Sequence, residues 1–206
     1  MRKYMKSKMP FHGVAVPEMR AIARRVFSSL TFRSRAEWRS TVWHLWKNAE
    51  FREERYAAIA LTRAKISAAH QSPSALGLYE RMIVTGAWWD YVDEIATHCV
   101  GPILRISRTS IEPILRSWSL GPDLWKRRTA IICQIGFKAE TDTELLESCI
   151  APSLASREFF LRKAIGWALR EYSKTDPEWV RRYVRSHEGW LSPLSKKEAL
   201  RHVGAG

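Results

Sequence analysis

The sequence has few cysteines, and they show no pairing pattern. Three occur in 206 residues, at positions 99, 133 and 149, and no C-x-x-C motif is present. An odd number of widely spaced thiols argues against a disulfide framework and fits a reducing cytoplasm. The six histidines show no metal-ligand spacing with one another or with the cysteines. We therefore expect no structural metal.

Long apolar runs are also missing. No stretch approaches the about 18 apolar residues that are needed to span a bilayer. The N-terminal segment MRKYMKSKMPFHG is basic and lacks the apolar centre of a signal peptide. We expect neither a membrane span nor export. Period-2 alternation of apolar and polar residues is absent too, so no strands are predicted.

Acidic residues are scarce relative to basic ones. The chain has 21 Asp+Glu against 34 Lys+Arg, which gives a net charge of +13 and a pI near 10.1. A positive field of this size suits a polyanion, and nucleic acid is the first candidate. The chain also has ten tryptophans, an unusual number because a buried indole N–H needs a hydrogen-bond partner.

Helical periodicity is what the sequence contains in abundance. Gly and Pro divide it into segments with helical spacing. The predicted helices lie near 17–28, 35–48, 51–66, 73–84, 88–105, 108–118, 122–136, 141–154, 157–174, 176–186 and 195–203. The last helix begins with a Ser195-x-x-Glu198 capping box. Helix pairs recur about every 35 residues, as in HEAT-like repeats. We predict an all-α fold, a single domain over 1–206, built as a HEAT-like helix-pair solenoid with a concave basic face.

Paired tryptophans and three carboxylates open the helix predicted over 88–105. At about 100° per residue, Trp88 falls on the apolar stripe, whereas Asp90 and Glu94 fall on the opposite, solvated side. Trp89 and Asp93 are spaced i, i+4 and share one flank of the helix. Acids at a helix start often do no more than complement the helix dipole. For Asp93, this role and a role in a site are both open.

A cation interrupts the apolar stripe of the helix predicted over 122–136. Arg128 lies in the middle of the stripe, whereas Arg127 lies off it. A guanidinium in that place needs a carboxylate or phosphate partner, because an unpaired buried charge costs several kcal/mol. Two interpretations stay open. Arg128 forms a structural salt bridge within the stack, or it contacts a phosphate bidentately.

The helix predicted over 157–174 carries an indole among cations. Trp167 lies at the margin of the apolar stripe, with Lys163, Arg170 and Lys174 at i−4, i+3 and i+7. One tryptophan at helical spacing is by default a core residue, but three flanking cations favour a nucleic-acid surface. The neighbouring Gly166 would let another backbone or a ligand approach closely.

These residues permit one particular chemistry. A carboxylate between aromatic faces stabilises a developing cation, such as the oxocarbenium-like sugar that forms when an N-glycosidic bond breaks. The same carboxylate can orient or deprotonate the attacking water. No second carboxylic acid is needed when the leaving base is already cationic, as an N3- or N7-alkylated purine is. The residue set permits this reaction but does not identify it alone.

Five segments match one known family, in order and over nearly the whole chain. They read YMKSKMPFHGVAVPEMR, WWDYVDEIA, LWKRRTAII, EFFLRKAIGWALREYSKTDPEWV and LSPLSKKEALRH. Together they resemble the AlkD-type DNA alkylation repair enzymes. The resemblance implies a HEAT-like solenoid and a monofunctional DNA glycosylase that releases N3- and N7-alkylpurines, such as 3-methyladenine and 7-methylguanine, in base excision repair. It also implies a reaction that needs no cofactor or metal and does not flip the base into a pocket.

The resemblance assigns roles to individual residues. The family's catalytic aspartate falls on Asp93, and its two active-site tryptophans fall on Trp89 and Trp167. The arginine that holds a phosphate in the family falls on Arg128. The further DNA contacts that we expect are the cations Arg127, Lys163, Arg170 and Lys174. Relatives usually carry another helix before this N-terminus, so we expect the N-terminal helix of the family to be missing.

The expected partner is double-stranded DNA that contains alkylated purines, bound by a monomer in the bacterial cytosol or nucleoid. The alternative is a non-catalytic α-solenoid that binds branched or distorted DNA, or RNA. A non-catalytic member of the superfamily would be expected to lose the aspartate. Because Asp93 is present, the sequence favours the enzyme.

Overall fold

The computed structural model describes residues 5–7 and 9–203, and the regular structure in these ranges is helical. The α-helices are α1 Val16–Phe27, α2 Arg35–Lys47, α3 Arg52–Arg63, α4 Leu76–Gly86, α5 Trp89–Ile95, α6 Gly101–Ile106, α7 Arg108–Leu120, α8 Leu124–Ile132, α9 Thr143–Ile150, α10 Phe159–Ser173, α11 Pro177–Ser186 and α12 Pro193–Ala199. Short 3-10 turns cover Lys65–His70, Pro73–Ala75, Lys138–Glu140 and Ala151–Ser153. A π-helical segment covers Ala96–Val100. The predicted all-α class is confirmed.

The chain divides into two compact units, Met1–Thr85 and Gly86–Gly206. The single domain over 1–206, the HEAT-like pairing, the concave basic face and the missing first helix of the family remain predictions. Two residues of the first family-like segment, Tyr4 and Lys8, lie outside the described residues. Within the described ranges no helix has both the length and the apolarity to cross a bilayer.

Buried tryptophans with satisfied indole groups anchor the first unit. Trp38 and Trp46 of α2 are inaccessible to solvent, and each finds a hydroxyl acceptor. The Trp38 Nε1 atom donates to Ser67 Oγ at 2.9 Å, and the Trp46 Nε1 atom donates to Thr85 Oγ1 at 2.9 Å. Both tryptophans are thus core residues whose indole N–H groups form hydrogen bonds although their rings are buried.

Helix α10 lies in the middle of the second unit. Its buried face carries Leu161, Ala164, Ile165 and Leu169, which pack with α8, α9, α11 and α12 in one hydrophobic cluster. The closest approach is at Gly166, where an added Cβ would lie 2.6 Å from Glu198 Cβ and 3.1 Å from the Ser195 carbonyl oxygen. The close contact predicted for Gly166 is therefore made by α12, through the side chain of Glu198 and the backbone of Ser195.

The helix predicted over 88–105 is present but is not uniform. It runs from Trp89 to Ile106 as α5, the π-helical segment and α6 in succession. Trp88 is the N-cap residue in an extended conformation, and Ala87 before it has φ 42, a left-handed conformation that favours glycine. The strained turn at Ala87 sets the direction in which α5 begins.

The capping box predicted at Ser195 is wrong. Helix α12 begins at Pro193, and its cap is Ser192, whose side chain accepts a hydrogen bond from Ser195 N at 3.0 Å. Proline is favoured in the first turn because its missing N–H and fixed φ suit that position. Ser195 is instead a buried residue whose Oγ donates to the Arg162 carbonyl oxygen at 2.9 Å, so it joins α12 to α10.

The contact at Gly166 yields a stability prediction. A Gly166→Ala change forces α10 and α12 apart, and overpacking of this kind costs about 1–3 kcal/mol of the free energy of unfolding. Gly77 of α4 is a matched control, because an added Cβ meets nothing within 4 Å there. Gly77→Ala should stabilise the protein by about 0.5 kcal/mol through helix propensity. Urea unfolding of both variants measures the difference, and a Gly166→Ala protein as stable as wild type would contradict the prediction.

Candidate active site

An ion pair between Asp93 and Arg128 forms the centre of the candidate site. Arg128 Nε donates to Asp93 Oδ1 at 2.7 Å, and Nη2 donates to Oδ2 at 2.8 Å. The Arg128 side chain is 6% exposed and the Asp93 side chain 14% exposed. Of the two interpretations of Arg128, the structure therefore shows the salt bridge. Its partner is the aspartate that the sequence analysis singled out for catalysis.

A third hydrogen bond extends the pair to another helix. Arg128 Nη1 donates to the Phe160 carbonyl oxygen, 2.6 Å away, in the first turn of α10. One guanidinium thus holds together α5, α8 and α10. The sequence signal for this arrangement was a cation in the apolar stripe of α8, but nothing in the sequence identified Phe160 as a partner.

The environment of Asp93 changes its acidity. Burial raises the pKa of Asp93 above its usual range, while the hydrogen bonds and charge of Arg128 act in the opposite direction. The neighbouring carboxylates Asp90 and Glu94 raise the pKa of Asp93 further. Both were predicted to be solvated, but both are partly buried. Asp93 is thus a carboxyl group with little contact to water and one cationic partner.

The π-helical segment begins three residues after Asp93. The Ala96 N–H donates to the carbonyl oxygens of both Val92 and Asp93, and Thr97 Oγ1 donates to the Asp93 carbonyl oxygen at 2.7 Å. π-helical turns are rare and often occur at functional sites. The sequence analysis missed this feature, although Pro102, which lacks an N–H, signals an irregular ladder in the preceding turn.

The two candidate tryptophans lie on the helices that the ion pair joins. Trp89 is the first residue of α5, half-buried and one turn before Asp93. Trp167 is half-buried on α10, where it packs against the hydrophobic cluster. It follows Phe160 by seven residues, which places it on nearly the same face of α10 and about 10 Å along the axis. Trp167 is therefore at once a packing residue and a candidate site residue.

The cations expected to contact DNA have partners within the protein. Lys163 Nζ donates to Glu198 Oε1 at 2.8 Å, and Arg170 Nη1 forms an ion pair with the other oxygen of Glu198. Lys174 pairs with Glu171 at 2.6 Å. The sequence analysis assigned Glu198 to a capping box and not to these cations. The hydrogen bond from Lys163 holds the pKa of Glu198 below its usual range.

Arg127 points to another part of the second unit. Its Nη2 atom donates to the Pro152 carbonyl oxygen at 2.8 Å and to Ser153 Oγ at 2.9 Å. These bonds join α8 to the 3-10 turn after α9. The structure thus brings Asp93 and Arg128 together and gives Arg127 a separate role in packing. A role for Arg127, Lys163, Arg170 and Lys174 in DNA binding remains a prediction.

An aromatic cluster that sequence reasoning missed adjoins the ion pair. The rings of Trp88, Trp125 and Phe160 have centroids 5.0–6.3 Å apart, and Phe159 meets Phe160 edge-on at 5.5 Å. The Phe160 backbone is the group that binds Arg128. Phe159 is 57% exposed, so the cluster extends from the ion pair to the surface. Its signal in the sequence is the pair of phenylalanines with which α10 begins.

The fold and the site together define an all-α protein with a buried carboxylate–guanidinium pair, and sequence comparison gives the family. A model of the DNA alkylation repair enzyme family matches residues 1–203. The chain therefore belongs to the DNA alkylation repair enzyme family, which confirms the resemblance found in its sequence. No curated protein sequence matches the chain.

Solved structures agree with this family. A predicted DNA alkylation repair enzyme from Enterococcus faecalis is 28% identical, with a TM-score of 0.88 over 100% of this chain and 94% of that chain. AlkD2 from Streptococcus mutans is 16% identical, with a TM-score of 0.67 over 98% of this chain and 97% of that chain. The smu.31 protein of Streptococcus mutans UA159 is 17% identical, with a TM-score of 0.65 over 92% and 93%. The two streptococcal structures support the fold alone.

The acidity of Asp93 can be measured directly. We expect its carboxyl pKa to lie above the usual aspartate range, because burial outweighs Arg128. Since the folded pKa then exceeds the unfolded one, the contribution of this group to stability is full below the unfolded pKa and is lost as pH rises through the folded pKa. Carbon NMR titration of labelled aspartate tests the shift. A pKa at or below the usual value would contradict the expectation.

Proposed function

We propose that the protein is a monofunctional DNA glycosylase that hydrolyses the N-glycosidic bond of N3- and N7-alkylpurines in duplex DNA, as a step of base excision repair. The observation that carries the proposal is the Asp93 carboxylate, which is buried and fixed by two hydrogen bonds one helical turn from Trp89. Membership of the DNA alkylation repair enzyme family supports DNA as the partner.

The charge of the substrate explains why one carboxylate suffices. An N3- or N7-alkylated purine carries a positive charge, so its ring accepts the electron pair of the breaking C1′–N bond without prior protonation. The sugar becomes oxocarbenium-like as that bond breaks. Asp93 stabilises this cation by its negative charge, in a site where little water screens the interaction.

Water completes the reaction. Its oxygen attacks C1′, and the proton it loses passes to Asp93 or to solvent, which leaves an abasic sugar and a neutral free base. Each oxygen of Asp93 accepts one hydrogen bond from Arg128 and has a further lone pair to orient that water. The faces of Trp89 and Trp167 stabilise the same cation through their quadrupoles. No step in this scheme needs a metal or a cofactor.

Replacement of Asp93 tests the proposal. We expect wild-type protein to release 7-methylguanine or 3-methyladenine from alkylated duplex DNA and to leave an abasic site. Asp93→Asn removes the charge at constant shape and should slow release by about 100-fold or more, with DNA binding largely kept. Glu188→Gln, which removes the charge of a carboxylate whose side chain is 75% exposed, is the matched control and should release base at close to the wild-type rate. Base release is followed by chromatography of the free purine.

Two outcomes of that experiment would count against the proposal. If wild-type protein releases neither base but still binds the duplex, the chain is a non-catalytic DNA-binding member of its superfamily. If Asp93→Asn releases base as fast as wild type, the reaction occurs without the residue on which the proposal rests.

The indole of Trp167 gives a second test. Trp167→Ala should lower the rate of base release at saturating protein by about tenfold, the equivalent of one lost cation–π contact. Trp167 also packs against the core, so a lower rate could reflect a folding defect. Trp167→Phe, which keeps an aromatic face, is the reference, and the unfolding temperature of Trp167→Ala must be close to that of Trp167→Phe. Trp190, which is 66% exposed, provides the control, and Trp190→Ala should leave the rate unchanged. Equal rates for Trp167→Ala and wild type would remove Trp167 from the site.

A further inference from the structure

A cavity of about 380 Å³ lies in the second unit, between the C-terminal ends of α8 and α10. Neither Asp93 nor Arg128 lines it, so the proposed reaction leaves the cavity unused. Small-molecule sites typically enclose about 300–1,000 Å³ and combine an apolar wall with a few polar groups. The volume here lies near the lower limit of that range and suits one small organic ligand. The apolar wall consists of Ile131, Ile135, Leu146 and Ala168.

A closed loop forms another wall of the cavity. Gln134 Nε2 donates to the Asp142 carbonyl oxygen at 3.0 Å, and Asp142 N donates to Gln134 Oε1 at 2.8 Å, so the two ends of this loop are joined. Within the loop the chain turns through left-handed conformations at Gly136, with φ 90, and at Lys138, with φ 54. A lysine rarely adopts this conformation, and such strain persists only where the surrounding structure determines it. The loop therefore holds Lys138 in a fixed place on the cavity wall.

Three charged side chains line the cavity, and their charges do not cancel. Lys174 Nζ pairs with Glu171 at 2.6 Å. Lys138 also lines the cavity and forms no ion pair with the described part of the chain. One positive charge is thus left without a partner carboxylate. A ligand that carries an anionic group would supply that partner.

The remaining lining is aromatic and hydroxylic. Trp179 meets Tyr172 edge-on, with ring centroids 5.2 Å apart, and so restricts the orientation of the Tyr172 ring. The hydroxyl groups of Thr141, Tyr172 and Thr175 line the same cavity, and none of them forms a hydrogen bond within the described ranges. These groups can bind the polar edge of a ligand, while the Tyr172 ring and the apolar wall can pack against a flat ring.

We infer that this cavity binds a nucleoside 5′-monophosphate, with its phosphate at Lys138 and its base against Tyr172 and the apolar wall. Each part of such a ligand meets a matching part of the lining. Inorganic phosphate would satisfy Lys138 but leave the apolar wall exposed, and a neutral nucleoside would leave the positive charge unpaired. The inference does not rest on the proposed function, because none of Asp93, Trp89 and Trp167 lines the cavity.

A methyl NMR titration tests the inference on wild-type protein with labelled isoleucines. The probe is 2′-deoxyguanosine 5′-monophosphate, whose purine offers a large flat face. We expect saturable shifts of the Ile131 and Ile135 methyl groups, because the ring current of the base acts at short range. Ile132 lies on the same helix but outside the cavity lining, and its methyl group should shift little. Deoxyguanosine should bind about tenfold more weakly, because it lacks the charge that pairs with Lys138.

Two variants separate the contribution of the charge from that of the ring. Lys138→Asn removes the charge and keeps a residue that tolerates positive φ, and it should raise the Kd for the nucleotide about tenfold. Lys65→Asn is the matched control, because Lys65 is also an exposed lysine that begins a 3-10 turn, in the first unit, and its Kd should equal that of wild type. Tyr172→Leu should also raise the Kd about tenfold through the loss of base stacking. Thermal unfolding verifies that each variant is folded.

Three results would overturn the inference. The first is the absence of a saturable shift of Ile131 and Ile135 at about 1 mM nucleotide, which is the weak limit of specific binding. The second is equal affinity for deoxyguanosine and its 5′-monophosphate, since the phosphate would then make no contact. The third is an unchanged Kd in Lys138→Asn, an exposed position at which the variant is expected to fold.

Discussion

The buried ion pair between Asp93 and Arg128 is the constraint on which the second unit depends. Loss of one partner of such a pair typically costs about 3–5 kcal/mol, because it leaves a charge buried without compensation. Arg128 also binds the backbone of α10, so three helices are held at one point by a single side chain. A pair of apolar residues could supply similar stability without the cost of taking two charges out of water. Stability alone therefore does not explain a charged pair at this position. Under the proposed function, a carboxylate that stabilises a developing cation has to be ionised there, although it is buried.

Helix α10 connects the ion pair to the rest of the second unit. Its first turn receives Arg128, and its middle lies against α12, where Gly166 allows the backbone of Ser195 and the side chain of Glu198 to approach closely. Glu198 then binds Lys163 and Arg170 on either side of that contact. Two contacts thus fix the position of Trp167. Arg128 binds the first turn of α10, and Glu198 binds Lys163 and Arg170 on either side of Trp167. A helix held in this way is a more rigid support than a loop for a functional side chain, which is the role proposed for Trp167.

The sequence was sufficient for the helices and for the identity of the unusual residues, but not for their contacts. Periodicity predicted the all-α class, and the helical wheels marked Asp93 and Arg128 as misfits in their segments. The contact between them joins residues 35 positions apart, and no local pattern encodes that distance.

The capping box at Ser195 failed because Ser192-Pro193 is a stronger helix start three residues earlier. Glu198 was missed as a partner of the predicted basic strip for the same reason as the ion pair. Glu198 follows Lys163 by 35 residues and is brought to it by packing at Gly166.

The pairing of these cations changes how the net charge of +13 is best understood. Around Trp167, Lys163 and Arg170 share Glu198, and Lys174 is paired with Glu171. Local attraction at the candidate site is therefore weaker than the count of basic residues suggests. A large net positive charge still acts at long range, because the summed field of the molecule steers a polyanion toward it. The net charge of the chain and the local charge around Trp167 therefore have different effects. The excess of Lys and Arg over the whole chain attracts a polyanion at long range, whereas the cations around Trp167 are largely balanced by acids close to them.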